Sequence, residues 1–282
     1  MGKLTTPSSR TGVSGFDQFS SGRVRESGRV RTGITELDEM LHGGFMEGDA
    51  VMVAGSAGCG KTTLALQYLV NGVKLGESGV YVTFEEMPDQ IYRDAKNLGW
   101  DLRKLEEENK FRILCTSPNL LLESEGESLL DESLRDIQPR RIVVDSLSHL
   151  AMFVKESELR REAYRLIMHL KTKGISSVLV WESPQMAGGS FSITEVGLSF
   201  LVDCIVALKP VEIESSMRKA LVILKMRGSD HDKRLREFQI TSTGIKIESA
   251  FTNYEGVITG LPRRVASEKF MDLFRGAAEK RK

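Results

Sequence analysis

From about residue 31 onward, short apolar runs alternate with longer amphipathic stretches. The runs are AVMVAG (50–55), GVYVTF (79–84), FRILC (111–115), RIVVD (141–145), SSVLVWE (176–182) and VDCIVAL (202–208). Helical spacing of apolar residues between them predicts helices over 62–75, 89–98, 127–136 and 157–172. Strands apolar at nearly every position are buried on both faces, so the pattern predicts an α/β domain with a mainly parallel sheet flanked by helices. After Leu208 the rhythm changes. VEIES (211–215), KALVILKMRG (219–228), LREFQIT (235–241) and GIKIES (244–249) follow with no helix between them, which predicts an antiparallel extension at one edge of the sheet.

Outside this rhythm lie two ends of different character. Residues 1–30 are rich in Ser, Gly and Arg and show no helical or strand period, so they read as a flexible basic arm ahead of a domain over 31–250, with a segment and basic tail over 251–282. The formal net charge is zero, with 39 basic and 39 acidic residues, but the charge is unevenly spread. Residues 1–31 sum to +4, residues 263–282 also sum to +4, and the middle therefore carries −8. A basic tail either stays solvated or meets nucleic acid or an acidic partner. Three cysteines (Cys59, Cys115, Cys204) cannot frame a disulfide scaffold. No apolar run approaches the roughly 18 residues of a membrane span, and MGKLTTPSSRTG lacks a signal peptide's apolar stretch, so a cytoplasmic protein without membrane contact is expected.

The chemistry concentrates in GSAGCGKTT, Gly55 to Thr63, which satisfies GxxxxGK[ST] between an apolar strand and an apolar helix. Glycines 55, 58 and 60 allow successive backbone N–H groups to turn inward, and the following helix adds the positive end of its dipole. This builds a polyphosphate cradle. Lys61 would neutralise the outer phosphates and the Thr62 hydroxyl would bind Mg²⁺. Cys59 occupies a variable motif position, with redox chemistry a remote alternative. RIVVD ends in Asp145 at the carboxyl end of a buried strand, where it would either orient the metal or cap the next helix. The second strand ends in Glu85 and Glu86, two adjacent acids that repel unless a cation is close, and either could accept a proton from water.

These motifs, together with RTGITELDEMLHGGF before the phosphate loop, TFEE, VVDS and KMRGSDHDKRLREFQIT (225–241), resemble the RecA-like ATPases of the KaiC family over about 31–264. The carboxyl half is similar to the kinase-type repeat of that family, and this chain carries one such repeat. The resemblance implies a RecA-like P-loop fold and a ring, of six subunits, with ATP between neighbours. It implies that Ser56, Ala57, Gly58, Cys59, Gly60, Lys61, Thr62 and Thr63 bind phosphate. Glu85 is then the catalytic base supported by Glu86, Thr62, Glu85 and Asp145 serve the metal, and Leu98 lies near the adenine. Lys225, Met226, Arg227, Ser229, His231 and Lys233 match the segment that a neighbour contributes to the nucleotide, with Arg227 needed for hydrolysis. SITEVGLSFLVDC aligns with the segment that carries a phosphorylated Ser-Thr pair. Ser199 matches the serine, while Phe200 replaces the threonine and has no hydroxyl, which leaves Ser199 as a single candidate phosphosite.

Other positions read more plainly. Trp100 and Trp181 suit packing roles, and His42, His149 and His169 have no spacing that would make a metal site with the cysteines, so structural roles are expected. The loop over 183–192 has no Lys or Arg, so a grip on single-stranded DNA is not supported there. The function expected is a Mg²⁺-dependent regulatory ATPase. The alternatives are a DNA-dependent ATPase or recombination accessory working through the basic ends, and an ATP-gated scaffold. In the scaffold, Phe270, Met271, Leu273 and Phe274 of the tail would anchor a protein partner.

Overall fold

The computed structural model describes residues 28–121, 128–183, 197–252, 254–257 and 262–264. Most of the basic arm, most of the loop over 183–192 and the tail beyond Arg264 lie outside the described residues. Arg29–Val30 (β1), assigned by pattern to the arm, pairs antiparallel with Phe45–Met46 (β2) across the short helix Thr35–Met40 (α1). The expected alternation follows. Ala50–Gly55 (β3) leads to Lys61–Lys74 (α2), then Gly79–Thr83 (β4), Pro88–Asn97 (α3), Leu102–Glu107 (α4) and Phe111–Cys115 (β5). Next come Pro118–Leu121 (α5), Leu129–Ile137 (α6), Arg141–Asp145 (β6), Leu147–Phe153 (α7), Glu156–Thr172 (α8) and Ser176–Glu182 (β7). The chain continues with Cys204–Ile213 (β8), Ser216–Met226 (β9), Arg236–Thr241 (β10) and Gly244–Ala250 (β11), and ends in a short pair, Tyr254–Glu255 (β12) and Arg263–Arg264 (β13).

Nine strands form one sheet in the order β11-β10-β9-β8-β3-β7-β6-β4-β5. Every pairing from β8 to β5 is parallel, and every pairing from β8 to β11 is antiparallel, which is the RecA-like α/β P-loop arrangement with its antiparallel edge. The all-apolar strands are buried because side chains alternate between two faces, and both faces are covered. Val51, Val53, Tyr81, Val143, Val178 and Val180 pack with Leu64, Tyr68 and Leu69 of α2 on one side. Their strand neighbours Met52, Val80, Val82, Ile142, Val144 and Leu179 pack with α6, α7 and α8 on the other, through Leu134, Leu150, Leu166 and Leu170.

Besides β1 and β2, the short helices α1, α4, α5 and α7 are absent from the pattern-based expectation, and two expected elements have different bounds. VDCIVAL and VEIES are one ten-residue strand, because no chain-breaking turn separates them. Pro210 falls past Leu208, where β8 has outrun its pairing with β3. The true turn is Glu214–Ser215, both with positive φ (50° and 60°), a two-residue hairpin linking β8 to β9. The sixth helix begins one residue after Ser128, whose hydroxyl accepts from the Asp131 N–H and caps it. Among the described residues no helix is long and apolar enough to cross a membrane.

Candidate phosphate-binding and active site

Parallel pairing sets the register of the site. Gly55 lies opposite both Glu182 and Leu208, and Thr83 lies opposite Asp145, so four strands end together at one edge of the sheet. Gly55 has to be glycine, since a Cβ there would stand 2.3 Å from the Leu208 carbonyl oxygen. The loop then turns through Gly58 (φ 71°) and Gly60 (φ 102°) and delivers Lys61 as the first residue of α2. Gly60 gives α2 no side-chain cap, so the first N–H groups of a fourteen-residue helix remain open to an anion. Lys219 of β9 braces the loop from outside, donating to the Gly58 carbonyl at 2.9 Å.

Beside this loop opens a cavity of about 370 Å³. Lys61 is buried, and its Nζ donates to the Ser56 carbonyl at 2.8 Å and lies 3.4 Å from Glu182 Oε2. The Thr62 hydroxyl donates to Asp145 Oδ2 at 2.8 Å, and the Tyr81 hydroxyl donates to the same oxygen at 2.6 Å. Burial pushes the Asp145 carboxyl upward against these two donors and Lys61. Burial and then the charge of Asp145 push Glu86 upward as well. Thr83 Oγ1 accepts from the Glu86 N–H at 3.1 Å, which fixes the bend carrying both glutamates. Glu85 is largely exposed at the mouth, and its Oε2 lies 2.9 Å from His149 Nε2. Carboxylates gathered at one sheet edge repel one another, so the site favours an added cation. A hydroxyl and a carboxylate already in contact are hard oxygen donors of the kind Mg²⁺ takes together with water and phosphate oxygens. The residues present therefore fit a magnesium-bound polyphosphate. Ser56 Oγ, buried in the loop with no hydrogen-bond partner among the described residues, adds one more unused polar group.

Of the residues expected from sequence, Ala57, Gly58, Gly60, Lys61, Thr62, Thr63, Glu85, Glu86 and Asp145 line this cavity. Cys59 turns into the core, where burial raises its thiol, which removes the reactive thiolate that a redox role requires. Leu98 and Met226 pack against the core and do not line the cavity. The sequence Lys225 to Lys233 lies elsewhere. Leu221 pairs with Leu208 at the level of Gly55, whereas Met226 pairs with Cys204 at the level of Val51, about 13 Å further along the strands. That stretch stands at the amino edge of the parallel strands, away from its own phosphate loop. There Lys225 Nζ donates to the carbonyls of Ser199 and Val202 at 2.7 Å each, and Arg227 donates to the Phe200 carbonyl at 2.8 Å. Arg29 donates to Ser229 Oγ at 2.6 Å, Lys233 pairs with Asp230 at 3.2 Å, and His231 Nδ1 is buried without a partner among the described residues. Ser199 sits in the 3₁₀ turn Leu198–Phe200 at this same edge.

Sequence reasoning missed Tyr81, Thr83, Ser146, His149, Glu182 and Ile240 as cavity residues. The structural role expected for His149 is corrected: it sits one helical turn beyond Asp145, on a helix the pattern did not predict, and faces the cavity. Glu182 had a readable signal, since SSVLVWE ends in an acid just as RIVVD does. Ile240 comes from β10 and covers Gly60, where a Cβ would meet it at 2.8 Å.

The family model described as "ATPase: KaiC" matches residues 30–251. Among similar proteins are the circadian clock oscillator proteins KaiC of Thermosynechococcus vestitus, 34% identical over 247 residues, and of Synechococcus elongatus, 33% identical over 255. These alignments cover 88% and 89% of this chain but 48% and 49% of the relatives, so the chain spans about half the length of the curated proteins it matches. With the phosphate loop, the Asp145 carboxylate beside it and the sheet order all in place across the matched region, the chain belongs to the KaiC ATPase family.

Proposed function

We propose that this protein is a Mg²⁺-dependent ATPase whose nucleotide sites are completed by neighbouring subunits of a homo-oligomeric, hexameric ring, and that its hydrolysis drives a regulatory cycle. The single observation carrying this reading is the split of chemistry between two sheet edges. Lys61, Thr62, Asp145 and Glu85 share one cavity, while the basic stretch Lys225 to Lys233 stands at the far edge. A phosphate at the loop would have Lys61 and the α2 N-terminus on one side and no arginine of its own chain among the cavity's lining residues. Transition-state charge on a transferring phosphoryl group is stabilised by such a cation, commonly supplied from outside the P-loop domain.

Within one site the roles divide by geometry. Backbone N–H groups from Ser56 to Thr63 and Lys61 Nζ hold the phosphates. Thr62, Asp145 and Glu85 would hold Mg²⁺, which when bound neutralises phosphate charge. Glu85 would take the proton of the attacking water, with Glu86 beside it as support. From the neighbour, Arg227 meets the charge that develops, with Lys225, Met226, Ser229, His231 and Lys233 around it. Ser199 lies beside the same neighbour-facing residues, so we further propose phosphoryl transfer to Ser199 as a second outcome of the same site.

Complementation tests shared sites. Glu85→Gln and Arg227→Ala subunits, each inactive alone, should recover hydrolysis when mixed into one ring, because some interfaces then pair an intact Glu85 with an intact Arg227. No recovery in rings shown by native mass measurement to contain both variants would overturn catalysis across the interface.

A further inference from the structure

His149 connects two polar groups of the cavity in a single line. Its Nδ1 lies 2.9 Å from Ser146 Oγ and its Nε2 lies 2.9 Å from Glu85 Oε2. The proton order follows from the partners. An ionised Glu85 can only accept, so Nε2 carries the ring hydrogen and donates; Nδ1 then accepts, and the Ser146 hydroxyl donates to it. Every bond in the chain is satisfied with a neutral imidazole. Backbone geometry supports the line, because Ser146 directly precedes α7 and the His149 N–H donates to the Ser146 carbonyl at 3.1 Å. Ser146 is buried at 5% exposure and His149 half-buried at 24%, whereas the Glu85 side chain is 68% exposed. The rigid end of the line is therefore the serine, and the free end is the glutamate.

We infer that His149 is the positioning residue of Glu85, holding its carboxylate at the cavity mouth in the orientation from which it meets the attacking water. This rests on the reading of Glu85 as the base. An exposed glutamate has three free side-chain torsions, and a single fixed donor selects among them at the cost of one hydrogen bond. His149 itself is not assigned a contact with the phosphates. Its removal should therefore change the rate of the chemical step and leave nucleotide affinity alone.

The test is steady-state ATP hydrolysis by the full chain with His149→Ala, His149→Gln, Ser146→Ala and Glu85→Gln. His149→Ala should lower kcat about tenfold with KM for ATP within about twofold of wild type. A glutamine amide offers a donor to Glu85 and an acceptor to Ser146, so His149→Gln should return kcat to within about threefold of wild type. Ser146→Ala should cost less than His149→Ala, and a chain carrying both Ser146→Ala and His149→Ala should be no worse than His149→Ala alone. Thermal melting run beside the assay separates a folding defect from a positioning defect, and if the alanine variant melts early the glutamine and serine variants carry the comparison. Equal impairment of the alanine and glutamine variants, or a wild-type kcat for His149→Ala while Glu85→Gln is inactive, would overturn the inference alone. A wild-type rate for Glu85→Gln would overturn the base assignment and this inference with it.

Discussion

Lys61 Nζ stands 3.4 Å from Glu182 Oε2, so the lysine of the phosphate loop already has a carboxylate competitor on the neighbouring strand. A phosphate entering the cavity must share the lysine with that carboxylate or displace it. Glu182 is about half exposed, so the competition is screened and modest in size. Glu182→Gln should tighten ATP binding by about two- to fivefold, measured by equilibrium titration. Unchanged or weaker affinity would show that Glu182 serves the phosphates in some other way.

The contact of the Thr62 hydroxyl with Asp145 gives a second outcome. Valine matches threonine in shape but lacks the hydroxyl, so Thr62→Val should reduce hydrolysis at least tenfold and move the Mg²⁺ midpoint to higher concentration, while Thr62→Ser keeps both near wild type. Tyr81→Phe removes the other donor to the same oxygen. Its expected cost is about 1 kcal/mol in stability, with only a few-fold change in rate. A Mg²⁺ titration of the ATPase separates the variants, and coincident curves for Thr62→Val and wild type would sink the metal role.

At the opposite sheet edge, Asp49 produces a pH effect. Burial and then the charge of Asp203 raise its carboxyl to about 6, and Oδ2 has no hydrogen-bond partner among the described residues. The folded pKa is above the unfolded value of about 4, so the protonated form's contribution to stability is complete below pH 4 and is lost as pH rises through 6. Asparagine stays neutral throughout. Asp49→Asn should match wild type near pH 4 and become more stable by about 1–2 kcal/mol above pH 7, a gain of a few degrees in melting temperature. Parallel melting curves from pH 4 to 8 with no widening gap would refute it.

How much of this could be read beforehand depended on whether a signal was local. The phosphate loop was legible because its residue spacing is its geometry: Gly55, Gly58, Gly60, Lys61 and Thr62 need no distant partner to take shape. Asp145 and Glu85 were legible because the apolar runs ahead of them announced strands, and strand ends in such sheets collect sites. His149 was not, since LSHLAMF is short and apolar on several sides, and a histidine's direction on it depends on where α7 starts. The hairpin at Glu214–Ser215 was hidden because its positive-φ residues are neither glycine nor asparagine. The far-edge position of Lys225 and Arg227 follows from the register of β8 and β9, a long-range property that no stretch of residues encodes alone.

That far edge leads to the last prediction. Ser199 lies in the turn before β8, held there by Lys225 through its carbonyl, and β8 runs parallel to the strand that ends at its own phosphate loop. In the proposed ring a chain's own nucleotide would be separated from its Ser199 by about the length of the strands, so that only a neighbour's nucleotide would reach the hydroxyl. In the proposed transfer the Ser199 Oγ would form a bond to the γ-phosphorus, the bond to the ADP oxygen would break, and the hydroxyl proton would pass to a carboxylate of the neighbour's site such as Glu85. Two variants separate donor from acceptor. Lys61→Ala subunits keep Ser199 but lose phosphate binding, and Ser199→Ala subunits do the reverse. Neither should be labelled when incubated alone with γ-labelled ATP. Mixed into common rings, the Lys61→Ala subunits should take up label, at Ser199 on peptide mapping, and distinguishable tags on the two subunits identify the acceptor. Label on wild-type Ser199 in the isolated monomer, or no label on wild-type rings at all, would refute transfer across the interface.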